Sequence, residues 1–378
     1  MDIRKSQTAR RLCGALAALG LCVGAGQASA ADSLVERANR GLVEVVTGSV
    51  NGTSVRMAED LADALDDGAT RRVLPVVGKG AFQNLADLRI LRGVDLAIVQ
   101  TDVLNYARDK KLYANLNSSV TYIAKLNNDE FHLLARADIN SLADLAGKKV
   151  NFGPQNDGAN FTGPRLFGSL KVKVEATSYS QALALEKLKA GEIAAMAVVA
   201  GKPVALFQSL RAQDKLHFLP LPLKAEMAAE YIPARLDPED YPDLVAQGSS
   251  VETIAVGTAL IVAGLAPDSQ RYRNVANFVD VFFTQFPKLL DSSHHPKWQE
   301  VNLAAELPNW QRFAPADSWI KRNGTTTTPV AFNETEMRDI FAKFLDERTK
   351  ANGAQTLTAE QKEQLFDQFK RWQGDHSN

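Results

Sequence analysis

Four glycine-containing turns carry the residues whose types and spacing best suit binding chemistry. The first is "TGSVNGTS", Thr47–Ser54, where Gly48 and Gly52 allow tight turns and Thr53 can cap a following helix. Backbone N–H groups in such a turn, with a helix N-terminus, favour a carboxylate or phosphate by about 0.3–1 kcal/mol at exposed sites. The same residues also fit an ordinary turn that satisfies its own hydrogen bonds, and composition alone favours that second interpretation.

Three further turns repeat this combination after predicted strands. "FGPQNDGANFTG", Phe152–Gly163, joins Asn, Asp and Thr side chains to glycines ahead of a predicted helix. "VVGKGAFQNL" and "VVAGKP" place Lys79 and Lys202 in glycine-bounded turns, where an ammonium can meet an anionic ligand group, although such lysines are usually solvated. Because four such turns follow four strands, the interpretation as a binding site is about as well supported as the interpretation as ordinary turns.

No catalytic constellation competes with these turns. The sequence contains no G-x-S-x-G nucleophile elbow, no P-loop and no H-E-x-x-H zinc motif. The five histidines lack the partners that a metal site needs. Adjacent carboxylates such as Asp66 and Asp67 are more typical of solvated turns than of an acid and a base that flank a reacting bond. We therefore expect no catalytic residue, no metal site, no cofactor and no enzymatic activity.

The turns must be positioned by the apolar runs and helical patterns that alternate along the chain. The predicted strands are short and β-branched: Leu42–Thr47, Val73–Val77, Leu96–Gln100, Val150–Phe152 and Ala194–Val199. Apolar residues at helical spacing predict helices over 58–65 and 182–188, and "SLADLAGKK", 141–149, has a serine start and a glycine stop. The alternation predicts a doubly wound α/β fold, whose ligands bind beyond the carboxyl ends of the strands.

The first thirty residues have the pattern of a secretory signal peptide. Four basic residues precede an apolar run over 12–26, and Ala28-Ser29-Ala30 forms an A-x-A cleavage site. We predict a signal peptide over 1–30, a mature chain from about Ala31 and a periplasmic location. No other apolar run approaches the ~20 residues of a membrane span, so the mature chain is not expected to be membrane-embedded.

Removal of this leader also limits the chemistry and the partners of the mature chain. Both cysteines, Cys13 and Cys22, lie in the leader, so disulfides, thiolate metal sites and a cysteine nucleophile are excluded. The leader takes four of 43 basic residues and one of 44 acidic residues, and the mildly acidic remainder opposes nucleic-acid binding. The remaining length exceeds one ordinary core and fits two domains better.

A long aromatic tail follows Phe286. Trp298, Trp310, Phe313 and Trp319 lie among prolines, and two charged amphipathic patterns come after them. Burial of large rings, at about 1.5–3 kcal/mol each, favours an extended strap over 287–323 that docks on the rest of the protein. The alternative is a surface for a membrane partner, since the tail offers both aromatic and charged groups.

Four longer segments carry a family resemblance in their residues and in their order. They are "VTGSVNGTSVRMAEDLADAL", "NLADLRILRGVDLAIVQTDV", "LARADINSLADLAGKKVNFGPQNDGANFTG" and "ALEKLKAGEIAAMAVVAGKPVALFQSL". The second closely resembles the signature N-L-x-x-L…G-x-x-D-L-A-I-V-Q-S-D. Together they resemble the TAXI-type solute-binding subunits of TRAP transporters, within the type II periplasmic binding proteins, along most of the mature chain.

The resemblance implies two α/β lobes, each a sheet flanked by helices, that close over a ligand like a Venus flytrap. With crossovers near His132 and near 251–255, we expect lobe I over 31–131 and 254–286 and lobe II over 132–253. We also expect a 287–378 strap with helices packed on lobe I, which exceeds what shorter family members carry. Positions that match the family's motifs imply a ligand site that contains Gly48, Ser49, Gly52, Thr53, Asn84, Gln100, Thr101, Asp102, Gly153, Asp157, Gly158, Thr162, Ala200, Gly201 and Pro203.

The sequence departs from the family's pattern beside two of these turns. Ser54 and Val55 stand where paired aromatics are usual, and Arg56 stands where proline is common. Lys79 and Ala81 replace small and hydroxylic residues. We add Lys79 to the expected site because its charge favours a more anionic solute, and we expect Arg56 to be a solvated helix residue.

The function implied is capture of a small, anionic solute, of the amino acid or dicarboxylate class, and its delivery to a TRAP-type membrane permease. Asp102 and Asp157 can accept hydrogen bonds from an ammonium or hydroxyl of that solute. Two alternatives stay open at this point. One is a ligand-sensing module for a membrane receptor, and the other is an enzyme on the same bilobal scaffold, because fold does not fix function.

Overall fold

The protein is described by a computed structural model that covers residues 41–50, 52–68, 70–324, 358, 360–363 and 365–366. The expected signal peptide and most of the chain after Gly324 lie outside these residues. Within them the strands are β1 Leu42–Thr47, β2 Arg72–Val77, β3 Leu96–Gln100, β4 Val120–Arg136, β5 Lys149–Asn151, β6 Glu175–Thr177, β7 Ala195–Ala200, β8 Leu216–Phe218, β9 Ile232–Leu236 and β10 Val251–Ala263.

The helices alternate with the strands. They are α1 Thr53–Leu65, α2 Ala81–Ile90, α3 Thr101–Asp109, α4 Leu116–Ser119, α5 Gly158–Ser169, α6 Gln181–Lys189, α7 Ala205–Gln208, α8 Gln270–Thr284, α9 Phe286–Leu289 and α10 Ala314–Asn323. Short 3₁₀ turns include Leu142–Leu145 and Pro296–Glu300. None of the helices in the described part of the chain is both long and apolar enough to cross a bilayer. The predicted α/β class, a central sheet flanked by helices, is confirmed.

Two parallel three-stranded units form the ends of the sheet. In the first unit β1 lies between β2 and β3, and in the second unit β5 lies between β6 and β7. The first unit is covered by α1, whose apolar face buries Met57, Leu61 and Leu65. The second is covered by α5, which buries Leu166 and Phe167. Each unit therefore has its own core, as parallel strands buried on both faces require.

The long strands β4 and β10 join the two units. They pair with each other in antiparallel fashion, and β10 also pairs with β3 while β4 also pairs with β7. The pairing of β4 with β10 shifts register between Gly257 and Ala259 and again between Leu260 and Ile261. Such irregularities bend and twist a strand pair. The sheet is therefore mixed, parallel in each unit and antiparallel at its centre.

The structure agrees with the predicted strands to within about one residue at each end and differs at 141–149. Leu42–Thr47 and Leu96–Gln100 match in both bounds. The segment 141–149 forms only the 3₁₀ turn Leu142–Leu145, in which Ser141 and Asp144 make a capping box. The chain turns at Gly147, whose φ is 71°, and β5 starts at Lys149, so no length remains for an α-helix.

The strap, residues 287–323, packs its aromatic rings against the first unit and the central strands. Trp298 is fully buried, and Trp310 and Phe313 are nearly so. The indole Nε1 of Trp298 donates to Asp60 Oδ2 on α1 at 2.8 Å. The amide of Phe313 donates to the carbonyl of Tyr122 on β4, which extends the contact along the sheet. Ring burial thus accounts for the aromatic content of this segment.

Candidate ligand-binding site

A small cavity lies where the turns of both units meet the central strands. Its volume is about 40 Å³. The first unit contributes the turn after β1 and the starts of α2 and α3, and the second contributes the start of α5 and the end of β7. The lining residues are Gly48, Ser49, Gly52, Thr53, Ser54, Gly80, Ala81, Ile98, Gln100, Asp129, Asp157, Gly158, Gln181, Val199, Ala200 and Thr258.

The turn after β1 satisfies part of its own hydrogen bonding. The amide of Gly48 donates to Ser54 Oγ at 2.9 Å, and the amide of Gly52 donates to the carbonyl of Ser49 at 2.8 Å. These two amides are therefore engaged within the turn, as the ordinary-turn interpretation anticipates. A solute at this turn must use other donors.

The starts of three helices supply such donors. The N-cap residues of α1, α2 and α3 are Gly52, Gly80 and Gln100, and none of the three makes a side-chain cap hydrogen bond. All three residues line the cavity. The first amides of a helix have no intrahelical acceptor, and the helix dipole places partial positive charge there. This side of the cavity therefore suits an anionic group such as a carboxylate.

Gln100 is the polar side chain most in need of a partner. It is 6% exposed, and its Oε1 and Nε2 both lack a hydrogen-bond partner within the described residues. An ideal Cβ on Gly158 would lie 2.2 Å from Gln100 Oε1, so a larger residue there would have to displace the end of the Gln100 side chain. A buried donor or acceptor without a partner costs about 1–3 kcal/mol. A solute with both a donor and an acceptor would remove that cost.

Two carboxyl groups also line the cavity. Asp129 lies on β4 and accepts from Asn127 Nδ2 at 2.7 Å, and burial raises the pKa of its carboxyl to about 7. Asp157 caps α5 by accepting from the amide of Gly158, and burial raises its pKa above the usual range. The residues that line this cavity include no lysine, arginine or histidine. The charge of the wall therefore suits an ammonium or another hydrogen-bond donor.

Direct hydrogen bonds join the two units around the cavity. The amide of Gly201, after β7, donates to Thr53 Oγ1 at 2.8 Å. Thr162 on α5 donates to Asp102 Oδ2 on α3 at 2.6 Å, and the hydroxyl of Tyr231 donates to the same oxygen at 3.3 Å. Burial raises the pKa of Asp102 to about 6, against the lowering effect of these donors.

Backbone packing brings the units equally close. An ideal Cβ on Gly80 would lie 1.9 Å from the carbonyl oxygen of Asn156, which belongs to the other unit. A cavity of about 40 Å³ holds a few water molecules at most, since one water needs roughly 10–15 Å³ of accessible volume. Entry of an organic solute therefore requires the two units to move apart.

The structure brings eight of the predicted site residues to the cavity wall. These are Gly48, Ser49, Gly52, Thr53, Gln100, Asp157, Gly158 and Ala200. Gly201 and Pro203 line an adjoining, larger cavity. Gly153, with a φ of 79°, lies in the turn before α5, where an added Cβ would approach Asp157. Thr101 is buried at the start of α3, next to Gly257 of β10.

Three other predicted side chains make contacts within the protein. Asn84 Nδ2 donates to the carbonyls of Thr47 and Ile98, and therefore ties the ends of β1 and β3 together. Asp102 and Thr162 pair with each other, as described above. These contacts give the three residues a role in holding the site's shape.

The cationic residues singled out in the sequence lie away from the cavity wall. Lys79 is exposed, and the wall at that turn is formed by Gly80 and Ala81. The ammonium of Lys202 is bound by Asp237 at 2.7 Å and Asp240 at 3.0 Å. Arg56 is solvated and pairs with Glu59, as expected.

Sequence reasoning missed the contributions of the central strands. Asp129 and Thr258 line the cavity from β4 and β10, and Gln181 reaches it from the start of α6. One signal was available, because the polar run "NNDE", 127–130, interrupts an otherwise apolar strand. A polar run inside a buried strand indicates either a bend or a site.

Three solved structures match the chain at 14% sequence identity or less, with TM-scores below 0.5. The periplasmic binding protein BugD shares 14% identity, covers 74% of this chain and 93% of its own, and gives a TM-score of 0.45. A periplasmic transporter shares 12% identity with 66% and 86% coverage and a TM-score of 0.44. The alkanesulfonate-binding protein SsuA from Xanthomonas axonopodis pv. citri, bound to MOPS, shares 12% identity with 80% and 93% coverage and a TM-score of 0.40.

Sequence comparisons identify the family. Comparison with curated protein sequences gives no match. The model of the NMT1-like family matches residues 45–306, which include every residue of the cavity wall, the central strands and both parallel units except the first three residues of β1. That match covers more than half of the chain. The chain therefore belongs to the NMT1-like family, which has the type II fold of bacterial extracytoplasmic solute-binding proteins.

Proposed function

We propose that the chain is a periplasmic solute-binding protein that captures a small solute between its two units and delivers it to a TRAP-type membrane permease. The observation that carries this proposal is Gln100, a buried side chain on the wall of an interunit cavity with two hydrogen-bonding atoms that lack partners in the described structure. Such a side chain is costly unless a bound molecule satisfies it. We expect binding without chemical turnover, and we assign no catalytic residue.

The solute is an amino acid rather than a dicarboxylate. Three uncapped helix starts, at Gly52, Gly80 and Gln100, favour one carboxylate. Asp129 and Asp157 favour an ammonium and would repel a second carboxylate. An amino acid that binds after the units move apart uses both the helix starts and the two carboxyl groups. This assignment narrows the anionic solute class that the sequence implies.

The two units act as lobes that open and close. Lobe I consists of 31–131 with 254–286, lobe II consists of 132–253, and residues 287–378 form an extension on lobe I. This division cuts the long strands β4 and β10, which connect the two lobes. Closure forms the Asp102–Thr162 contact. The solute is then bound by the predicted site residues at the wall, with Asp129 as an additional ligand.

Mass spectrometry of small molecules released from natively purified protein tests the proposal directly. A thermal-shift and calorimetry screen should compare amino acids with dicarboxylates. An amino acid at a hundredfold excess over its Kd should stabilise the protein by about 2.7 kcal/mol. Binding of dicarboxylates alone would contradict the assigned class, and turnover of a bound molecule would contradict the binding function.

Delivery and export need their own measurements. Reconstituted TRAP-type permease should take up the identified solute only when the binding protein is present. N-terminal sequencing of the exported chain should begin near Ala31. Uptake that is independent of the binding protein would refute the permease partner, although it would leave solute binding intact.

A further inference from the structure

A second cavity adjoins the first at the edge of the interunit contact. Its volume is about 460 Å³, which lies within the roughly 300–1,000 Å³ typical of small-molecule sites. Three parts of the chain build it. They are the turn after β1 with Val50, the segment after β7 with Pro203 and Leu206, and the strap with His295 and Pro296.

The two cavities share one wall. Gly52, Thr53 and Ala200 line both of them. The hydrogen bonds between Thr53 and Gly201 cross from one unit to the other at this wall. When the units separate to admit a solute, these bonds break, and the two spaces become continuous. A molecule held at Gln100 can then extend past Thr53 into the larger cavity.

The larger cavity differs from the smaller one in its chemistry. Its wall contains the aliphatic and proline side chains of Val50, Pro203 and Leu206. The two basic residues that line it, Arg56 and His295, do not offer an unpaired positive charge. Arg56 pairs with Glu59 at 2.8 Å, and burial lowers the pKa of His295, which keeps its ring neutral. The space therefore favours an apolar group.

The strap is fixed firmly enough to serve as a wall. The ammonium of Lys297 lies 2.6 Å from Glu130 Oε1 and 2.5 Å from Glu300 Oε1, and Lys297 is 2% exposed. An ideal Cβ on Gly201 would lie 2.7 Å from Lys297 Cγ, so the strap passes directly under the turn after β7. His295 and Pro296 are thereby held against the cavity.

We propose that this second cavity is a subsite for the apolar tail of the solute, whose polar head binds at Gln100. The solute class is then a small amphiphile, with a head of amino acid size and an unbranched aliphatic chain of several carbons. The inference rests on the proposed function for its head group, and it assigns to the strap a direct part in recognition.

Isothermal titration of the full chain with three homologous series tests the subsite. The series are glycine to 2-aminooctanoate, acetate to octanoate, and ethylamine to octylamine, so that each tail is carried by three different heads. Affinity for one-to-one, saturable binding should rise about fourfold per methylene until the cavity is filled, because each buried methylene contributes about 0.8 kcal/mol.

Substitutions in the second cavity test whether the rise in affinity per methylene arises there. Leu206→Trp fills the cavity and should remove the gain per methylene while leaving the two-carbon member's affinity within about twofold. Val50→Trp, at a residue that is 65% exposed and therefore tolerant of substitution, should act in the same way. Ile90→Trp, at an exposed residue at the C-terminal end of α2 that lines neither cavity, is the matched control and should keep the full gain.

Each outcome decides between the two proposals. A gain in affinity with chain length that both cavity variants remove supports the subsite. If only the amines or only the carboxylates show this gain, the assignment of an amino acid head group is wrong, but the subsite is still supported. The subsite is overturned if the two-carbon compounds bind but affinity does not rise for longer tails, or if the rise in affinity persists in both variants. Either result leaves the proposed function standing. If no member of any series binds, both are overturned.

Discussion

Replacement of Gln100 by methionine should stabilise the free protein and weaken solute binding at the same time. Methionine has nearly the same shape but lacks the two amide atoms that have no partner. Removal of buried polar groups that lack partners recovers about 1–3 kcal/mol of unfolding free energy. That gain corresponds to a rise in Tm of roughly 1 °C per kcal/mol for a chain of this length, because the unfolding entropy grows with the number of residues.

The same substitution removes the hydrogen bonds that the side chain offers to a solute. A loss of about 1–3 kcal/mol in binding free energy corresponds to an affinity roughly 5- to 150-fold weaker. Urea denaturation of the free protein measures the first effect, and calorimetry with the amino acid identified by the screen measures the second. The two changes must have opposite signs, because the unsatisfied side chain is costly only until a solute binds.

Gln208→Met is the matched control for this experiment. Gln208 ends the short helix α7 and is exposed, so the same change of atoms there should alter neither stability nor affinity appreciably. A Gln100→Met protein that is less stable than the wild type would show that the side chain has partners within the fold. One that binds the solute with unchanged affinity would remove Gln100 from the site.

Three further measurements follow from the contacts described above. Burial raises the pKa of Asp102 to about 6, so the native state holds a proton that the unfolded chain releases. The stabilising contribution of this proton is greatest below about pH 4 and is lost as pH rises past about 6. Asp102→Asn should flatten that part of the stability profile measured in urea, and an unchanged slope would contradict the shift. Gly80→Ala should hold the units apart through a clash with the backbone of Asn156, and calorimetry should show roughly 5- to 150-fold weaker binding. Gly68→Ala, also at a positive φ but with no neighbour, should not weaken binding. Trp298→Ala should lower the unfolding free energy by about 3–5 kcal/mol, and a loss below 1 kcal/mol would argue against tight docking of the strap.

The parallel units were predictable because their strands are short, β-branched and buried on both faces. Val43 and Val45 of β1 are fully buried, and the run "LVEVVT" has the strand's bounds in the structure. The central strands were harder. β4 includes Asn127 and Asp129, polar residues that are buried because they find partners in the fold. A sequence pattern does not reveal those partners, so a buried strand with polar residues resembles a loop.

The parts of the site formed by glycine-containing turns were predictable from the sequence. The direction in which individual side chains point was not. Gly80 and Gly158 lie at close approaches between the units, and glycine-containing turns at strand ends predict such approaches. Lys79 is exposed, and a sequence pattern does not specify whether the side chain of a turn residue points into a cavity or into solvent. Part of the acidic character of the wall comes from Asp129, which lies on a strand outside the predicted turns, whereas Asp157 lies in one of those turns.

The two long central strands also constrain the order in which the chain can fold. β10 lies between β3 and β4, so the first sheet unit is incomplete until residues as far as Ala263 are available. Pairings of such large sequence separation are slow to form, because a long loop must close before they stabilise anything. A nascent chain that ends before β10 therefore exposes β3 as an open edge and depends on late synthesis to cover it.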